Sequence, residues 1–241
     1  MNTGQYSVSP VEVLAALGEP HRWSIARSLV MQDRSLRDLG DAAGCRTSLL
    51  THHVDILSRA RVLRRQPSEG DKRRSYVSLC INEPTVTAVL GVLTPRPAVD
   101  PARMVFVCTE NSARSQIAAA IWNETSRIPA VCAGTRPVAH VHPRALAAGR
   151  RRGVPMVHTR PRHLSEIRQD GDYIVTVCDR AYESLDSEAD AHWSIPDPAQ
   201  VGTPAAFDRA YDLLQRRTQW VGGLLENSGR RRHHTRDRRR E

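Results

Sequence analysis

Cys108 and Arg114 stand six positions apart in "RMVFVCTENSARSQIAAAIW", residues 103–122. A cysteine attacks a tetrahedral oxyanion only as the thiolate, and an arginine can clamp two oxygens of such an anion bidentately. The residues between them, Thr109, Glu110, Asn111, Ser112 and Ala113, are small or polar and suit a loop whose backbone N–H groups cradle an anion. Asn111 can hydrogen-bond the backbone and hold the loop curled. Ser115 can donate to the sulfur and stabilise it as a leaving group. The chemistry is covalent catalysis, with in-line attack of sulfur on phosphorus or arsenic. Thr109, Asn111, Ser112, Ala113 and Arg114 are therefore the expected oxyanion-binding residues. Glu110 would repel an anion, so its side chain is expected to point outward.

A Cys-x5-Arg spacing recurs by chance in a chain this rich in arginine, so the surroundings decide. "MVFV", residues 104–107, is a continuous apolar run of strand length, and "SQIAAAIW" after the loop is rich in helix formers. A loop from a strand into a helix N-terminus places unpaired N–H groups and the positive end of the helix dipole at the anion. The departing oxygen also needs a proton, and Asp197, set between Pro196 and Pro198, is the candidate acid. "PAVCAGTRP" and "DYIVTVC" are further strand-like runs, separated by the helical "PRALAAGRRRG", and "PAAFDRAYDLLQRRTQWVGGLLEN" is a closing helix. Strands alternating with helices predict an α/β domain with a central parallel sheet flanked by helices.

The N-terminal part reads differently. "TPRPAVDPAR" has three prolines in ten residues and marks a linker. Ahead of it stand helices broken at Gly18–Pro20, a short helix, a turn at Gly44, and a helix with Leu50, Val54 and Leu57 on one stripe. "RVLRRQP" and "KRRSYVSLC" then flank a Glu69-Gly70-Asp71 turn as a hairpin. That order predicts a winged helix-turn-helix, mostly α with a β-hairpin. Arg46, Thr47, Ser48, Thr51 and His52 would face bases, while Arg64, Arg65, Lys72, Arg73 and Arg74 at the wing tip would meet phosphates of double-stranded DNA. The expected division is a DNA-binding domain over 8–93, a linker over 94–102, a catalytic domain over 103–227 and a basic disordered tail over 228–241.

Bulk properties set further bounds. The 241-residue chain carries a net charge of +9, of which "RRRHHTRDRRRE" at the end contributes +5, seven arginines less two acids. Such a tail can hold nucleic acid or anionic surfaces electrostatically, or simply be solvated. Five widely spaced cysteines, Cys45, Cys80, Cys108, Cys132 and Cys178, without a CxxC pair, argue against a disulfide framework or zinc knuckle. They suit a reducing compartment, and Cys45, Cys80 and Cys132 read as small buried hydrophobes. No metal ligand set and no bound cofactor are expected. No apolar run reaches membrane-spanning length and the N-terminus lacks a secretory pattern, so a cytoplasmic protein without membrane contact is expected.

Two family resemblances add to this reading. "LGEPHRWSIARSL" followed by "TSLLTHHVDILSRARVLRRQPSEGDKRRSYVSL" resembles the ArsR-type metalloregulators, dimeric winged-helix repressors, with His53, Leu57 and Tyr76 in the family pattern. The resemblance implies an operator-binding homodimer, with "EPTVTAVLGVL" as a closing helix used in dimerisation. Arg61 replaces the family's glycine before the wing strand, at a strain of roughly 1 kcal/mol if the position needs a positive φ. Ser35 and Arg37 replace the Cys-x-Cys of arsenite-sensing members.

From Met104 to about Leu225 the chain resembles the low-molecular-weight phosphotyrosine phosphatase superfamily, and within it the thioredoxin-coupled arsenate reductases. The residues that carry this are "FVCTENSARSQIA", "CAGTRP", "VHPRAL", "DYIVTVCD" and "HWSIPDPA". Ala199 stands where phosphatases usually have an aromatic residue. The resemblance implies that Cys178 attacks an arsenic-bearing Cys108, releasing arsenite and leaving a disulfide. Leu185 replaces the third cysteine that relays this disulfide, so an external redoxin or low-molecular-weight thiol is the implied reductant. The expected protein is a DNA-binding regulator fused to an arsenate reductase. Two alternatives stay open: a tyrosine phosphatase tethered to DNA, and a regulator that binds an oxyanion without turnover.

Overall fold

The computed structural model describes residues 9–95, 97–156, 160–185 and 187–226. The expected tail, 228–241, lies outside the described residues. Contacts divide the chain into two compact units. One holds the described residues up to Ser68 together with Lys72–Pro95; the other holds Glu69–Asp71 and the described residues from 97 onward.

In the first unit α1 (Pro10–Leu17) and α2 (Pro20–Ser28) are separated at Gly18 and Glu19, and each begins with proline. Proline suits the first turn because its missing N–H has no intrahelical partner there. Glu19 caps α2 by accepting from the backbone N–H groups of His21 and Arg22. β1 (Arg34–Ser35) leads into α3 (Leu36–Ala43), which Ser35 caps through Asp38 N and which stops at Gly44 in the left-handed region, φ 62°. α4 (Thr47–Arg59) buries Leu50, Val54 and Leu57, one stripe of its surface, and packs on α1 and α2, whose Val13, Leu17 and Ile25 are buried too. Burying each such side chain contributes about 1.5–3 kcal/mol. β2 (Leu63–Pro67) and β3 (Ser75–Leu79) pair antiparallel from Leu63↔Leu79 to Pro67↔Ser75, and the sheet order is β1-β3-β2. α5 (Pro84–Leu93) buries Val86 and Leu90.

Arg61 has φ 51°. The position before β2 therefore needs the left-handed conformation that glycine adopts at no steric cost. Arg64 and Arg65 lie within β2, paired with Ser78 and Val77, instead of at a hairpin tip. The tip predicted from Glu69-Gly70-Asp71 groups with the second unit.

The second unit is built on a four-stranded parallel sheet in the order β5-β4-β6-β7. Its strands are β4 (Arg103–Cys108), β5 (Ala130–Gly134), β6 (Asp172–Thr176) and β7 (Ala191–His192). β4 is central and buried on both faces, which is why "MVFV" carries no polar alternation. α6 (Arg114–Thr125), α7 (Pro143–Arg151) and the long α11 (Pro204–Glu226) are the helices that periodicity predicts. The short α8 (Leu164–Ile167), α9 (Asp179–Leu185) and α10 (Pro198–Val201) and the two-residue β7 are additions to the predicted set. Phe106 packs between Trp122 and Trp193, with ring centroids 5.6 and 5.5 Å away. Among the described residues no helix is long and apolar enough to cross a membrane.

Candidate active site

β4 ends at Cys108 and α6 starts at Arg114, so the loop 109–113 sits at the C-terminal edge of the central strand. The carbonyls of Cys108 and of three loop residues are held from outside. Thr135 N donates to Cys108 O, Arg136 N to Thr109 O, Val138 N to Glu110 O and His142 N to Ser112 O, at 2.8–3.2 Å. An anion cradle needs its carbonyls turned away from the anion, and these four are engaged elsewhere.

Asn111 is the keystone. It is fully buried with φ 54°, a conformation asparagine tolerates better than most residues. Its Nδ2 donates to Ser115 Oγ at 2.9 Å, and its Oδ1 accepts from Arg162 N at 3.0 Å. Gln116 Nε2 donates to Asn111 O at 3.1 Å. Gly134 must lack a side chain, because a Cβ there would lie 2.7 Å from Thr109 O and 2.9 Å from Asn111 N. Ser115 Oγ lies 3.0 Å from Cys108 Sγ.

Arg114 is buried beneath the loop. Nη1 donates to Ile195 O at 2.9 Å, and Nη2 lies 3.1 Å from Asp197 Oδ2. Burial alone would lower its pKa, but neighbouring acidic groups, Cys178, Glu69, Asp197 and Cys108, outweigh that and hold the guanidinium firmly charged. Asp197 also accepts from Ala199 N. Cys108, Thr109, Glu110, Ser112, Ala113, Arg114, Arg180 and Asp197 line one pocket. Glu110 is exposed, as expected, although it also accepts from Ser112 Oγ at 3.1 Å.

Cys178 follows β6 and is completely buried, with Sγ 3.4 Å from Thr109 Oγ1. Burial pushes its thiol up to about 12, against the pull of Arg114. Burial likewise raises Cys132 to about 12 and Cys80 to about 11, which disfavours the thiolate in both. Cys45 is half-buried.

Several residues beyond the predicted set complete the site. Glu69, within the second unit, pairs with Arg114 Nη1, and its backbone N–H donates to Asp179 Oδ2 at 2.9 Å. Burial raises the Glu69 carboxyl against the opposing effect of Arg114. Arg180 adds a second cation to the pocket wall. A buried chain runs from Thr176 Oγ1 to His192 Nδ1 and from His192 Nε2 to Asp179 Oδ1, each at 3.0 Å, with Tyr182 stacked on His192. It braces the segment that leads to Asp197. The polar residues after Cys178 are its trace in the sequence, but only pairing with β7 shows what they hold.

The predicted DNA contacts lie in the first unit. Arg46 is the N-cap residue of α4, and Thr47, Ser48, Thr51 and His52 are in its first two turns. Arg46, Ser48, Thr51 and His52 are exposed, as are Lys72, Arg73 and Arg74 before β3, while Arg64 is half-buried.

Residues 103–230 match the family described as "Low molecular weight phosphotyrosine protein phosphatase". No curated protein matches the chain. Among solved structures, an arsenate reductase from Archaeoglobus fulgidus is 28% identical, with a TM-score of 0.44 over 50% of this chain and 98% of that one. A low molecular weight protein tyrosine phosphatase from T. tengcongensis is 20% identical, with a TM-score of 0.44 over 49% of this chain and 96% of that one. An arsenate reductase in its phosphate-binding state is 21% identical, with a TM-score of 0.44 over 52% and 97%. The family match spans more than half of the chain and includes the Cys108 loop and Asp197, so the protein belongs to the low molecular weight phosphotyrosine protein phosphatase family and is a cysteine-based phosphatase or reductase.

Proposed function

We propose that the second unit is an arsenate reductase and that the first is a winged helix-turn-helix that binds double-stranded DNA. The observation that carries the reductase reading is Cys178, a second thiol set against the oxyanion loop at Thr109. Hydrolysis of a phosphoester has no use for it. In the proposed cycle the Cys108 thiolate bonds to the arsenic of arsenate, and the departing oxygen leaves as water with a proton from Asp197. The Cys178 thiol passes its proton to an oxygen of the arsenic group as its sulfur attacks Cys108. The S–S bond forms, the S–As bond breaks, and the electron pair stays on arsenic, which leaves as arsenite. Two thiols are oxidised by two electrons while arsenic(V) becomes arsenic(III). An external redoxin or low-molecular-weight thiol reduces the Cys108–Cys178 disulfide.

Phosphatase chemistry is the second reading, favoured by Asp197 beside Arg114 and by Leu185 where a relay cysteine would stand. Incubating the protein with arsenate and thioredoxin, glutaredoxin with glutathione, or mycothiol with its redoxin, and assaying arsenite, separates the two. Arsenite formed with one donor and lost in Cys108→Ser and Cys178→Ser supports the reductase. No arsenite with any donor, beside Cys108-dependent hydrolysis of p-nitrophenyl phosphate that Cys178→Ser retains, leaves the phosphatase.

The DNA-binding reading draws on α3 and α4 joined through Gly44, and on the exposed Arg46, Ser48, Thr51, His52, Lys72, Arg73 and Arg74. A homodimer is part of this reading, since winged-helix proteins commonly meet two half-sites. Selection of bound sequences from a random duplex library tests it. No enrichment, or enrichment unchanged in Thr51→Ala and His52→Ala, would remove it.

A further inference from the structure

We propose that Glu19, His21 and His53 form a binding site for a divalent transition-metal ion of the zinc class. The three residues are 2 and 32 positions apart in the sequence, a spread that follows no metal-binding spacing. The fold brings one ligand atom from each within 4.8 Å of the others, all inside the first unit. Glu19 stands at the start of α2, His21 lies in its first turn, and His53 comes from the middle of α4.

His53 is the observation that points to a ligand. It is 6% exposed, and neither ring nitrogen has a hydrogen-bond partner. A buried polar group without a partner carries a desolvation penalty, which metal coordination would offset. Its Nδ1 faces Glu19 Oε2 at 3.6 Å. Burial lowers its pKa, outweighing the opposing Glu19 charge. The His21 ring stacks on it at 5.4 Å, with Nδ1 2.8 Å from Glu19 Oε1. Exposed His21 opens the group to solvent, so an ion can enter and keep a water as its fourth ligand.

The donor set, two imidazoles and one carboxylate, suits tetrahedral zinc, whose ligand atoms stand roughly 3.3 Å apart given bonds of about 2.0–2.1 Å. His21 Nδ1 and His53 Nδ1 already lie 2.8 and 3.6 Å from the Glu19 carboxylate oxygens, and the exposed His21 ring, now nearly parallel to His53 at 11°, must rotate for both lone pairs to meet one ion. Burial opposes ionisation of Glu19, but the N–H groups of Arg22 and His21 outweigh it and hold the carboxyl at about 2, so it supplies a full negative charge. One feature works against a cation: Arg22 Nη1 comes within 4.0 Å of Glu19 Oε2. Its guanidinium, however, is engaged by the Ala15 and Ala16 carbonyls at the end of α1. Loading would displace the His21–Glu19 contact and tie α4 to the start of α2. The site stands on the first unit alone and does not depend on the DNA-binding reading.

The test is titration of the full, thiol-reduced chain with cobalt(II), followed by zinc competition. The expected result is one equivalent bound with tetrahedral d–d absorption, no thiolate-to-metal charge transfer, and displacement by zinc. His21→Ala, at an exposed position, is expected to weaken binding at least tenfold, and Glu19→Gln likewise; His53→Gln serves as a third variant if its circular dichroism is unchanged. Three outcomes would overturn the proposal: thiolate charge-transfer bands, affinity unchanged in His21→Ala and Glu19→Gln, or binding abolished by His233→Ala with His234→Ala instead.

Discussion

Cys108 Sγ and Ser115 Oγ are 3.0 Å apart across the first turn of α6, and Asn111 Nδ2 donates to the same hydroxyl. With Asn111 filling one acceptor position, the hydroxyl proton is free to point at sulfur. The bond is worth most when the sulfur carries charge, as attacking thiolate and as leaving group. Ser115→Ala is therefore expected to lower kcat about 10–100-fold, matching about 1.5–3 kcal/mol for a hydrogen bond to a charged group, with KM little changed. Steady-state kinetics on p-nitrophenyl phosphate or arsenate measures this. A change confined to KM would show that Ser115 acts on substrate binding instead.

Gly134 is where β5 meets the back of the loop. A methyl group there collides with backbone atoms of Thr109 and Asn111, which cannot swing away like a side-chain end. Gly134→Ala is expected to cost about 1–3 kcal/mol in stability and to reduce phosphate or arsenate affinity at least tenfold. Urea unfolding and calorimetric titration read the two effects. Unchanged oxyanion affinity would mean that the loop's shape is set elsewhere.

Arg61 adopts φ 51° ahead of β2. Glycine removes that strain but gains entropy in the unfolded chain, so the two effects partly cancel. Arg61→Gly is expected to stabilise the protein by about 0.5–1 kcal/mol. A shift of the urea midpoint to higher concentration, at constant slope, is the confirming result.

Arg103 grips Asp172 through Nε and Nη2, both at 2.7 Å, and also donates to Ile167 O. Burial alone would raise the Asp172 carboxyl, but the Arg103 bonds dominate and hold it below its ordinary value. A carboxyl lowered in the folded state binds fewer protons there than in the unfolded chain, so its contribution is full above about pH 4 and is lost as pH falls through the lowered value. Arg103→Met is expected to cost about 3 kcal/mol near pH 7, with the gap to the parent narrowing below pH 4. A gap independent of pH from 7 to 3 would assign the loss to packing alone.

Much of the catalytic loop was legible in the sequence because its determinants are local. A continuous apolar run, Cys108, five loop positions and a helix-forming segment are consecutive, so Cys108, Asn111, Arg114 and Ser115 could be assigned roles from spacing alone. Asp197 was legible as a proline-flanked turn, although its ion pair with Arg114 was not. The two-residue strands β1 and β7 and the four-residue helices α8 and α10 left no periodicity to read. Elements of that length exist only because neighbouring strands and side chains hold them.

The sequence by itself determined which residues could carry the chemistry and that the chain divides between a helical N-terminal part and an α/β C-terminal part, because both follow from local pattern. Only the tertiary structure decided what those residues meet. It set Cys178 against Thr109, Asp197 against Arg114 and the His192–Asp179 brace behind them, and it gathered Glu19, His21 and His53 from two helices. The physical reason is the same in each case. Strand pairing and core burial fix distances between residues far apart in the chain, and hydrogen bonds, ion pairs and ligand sets depend on those distances.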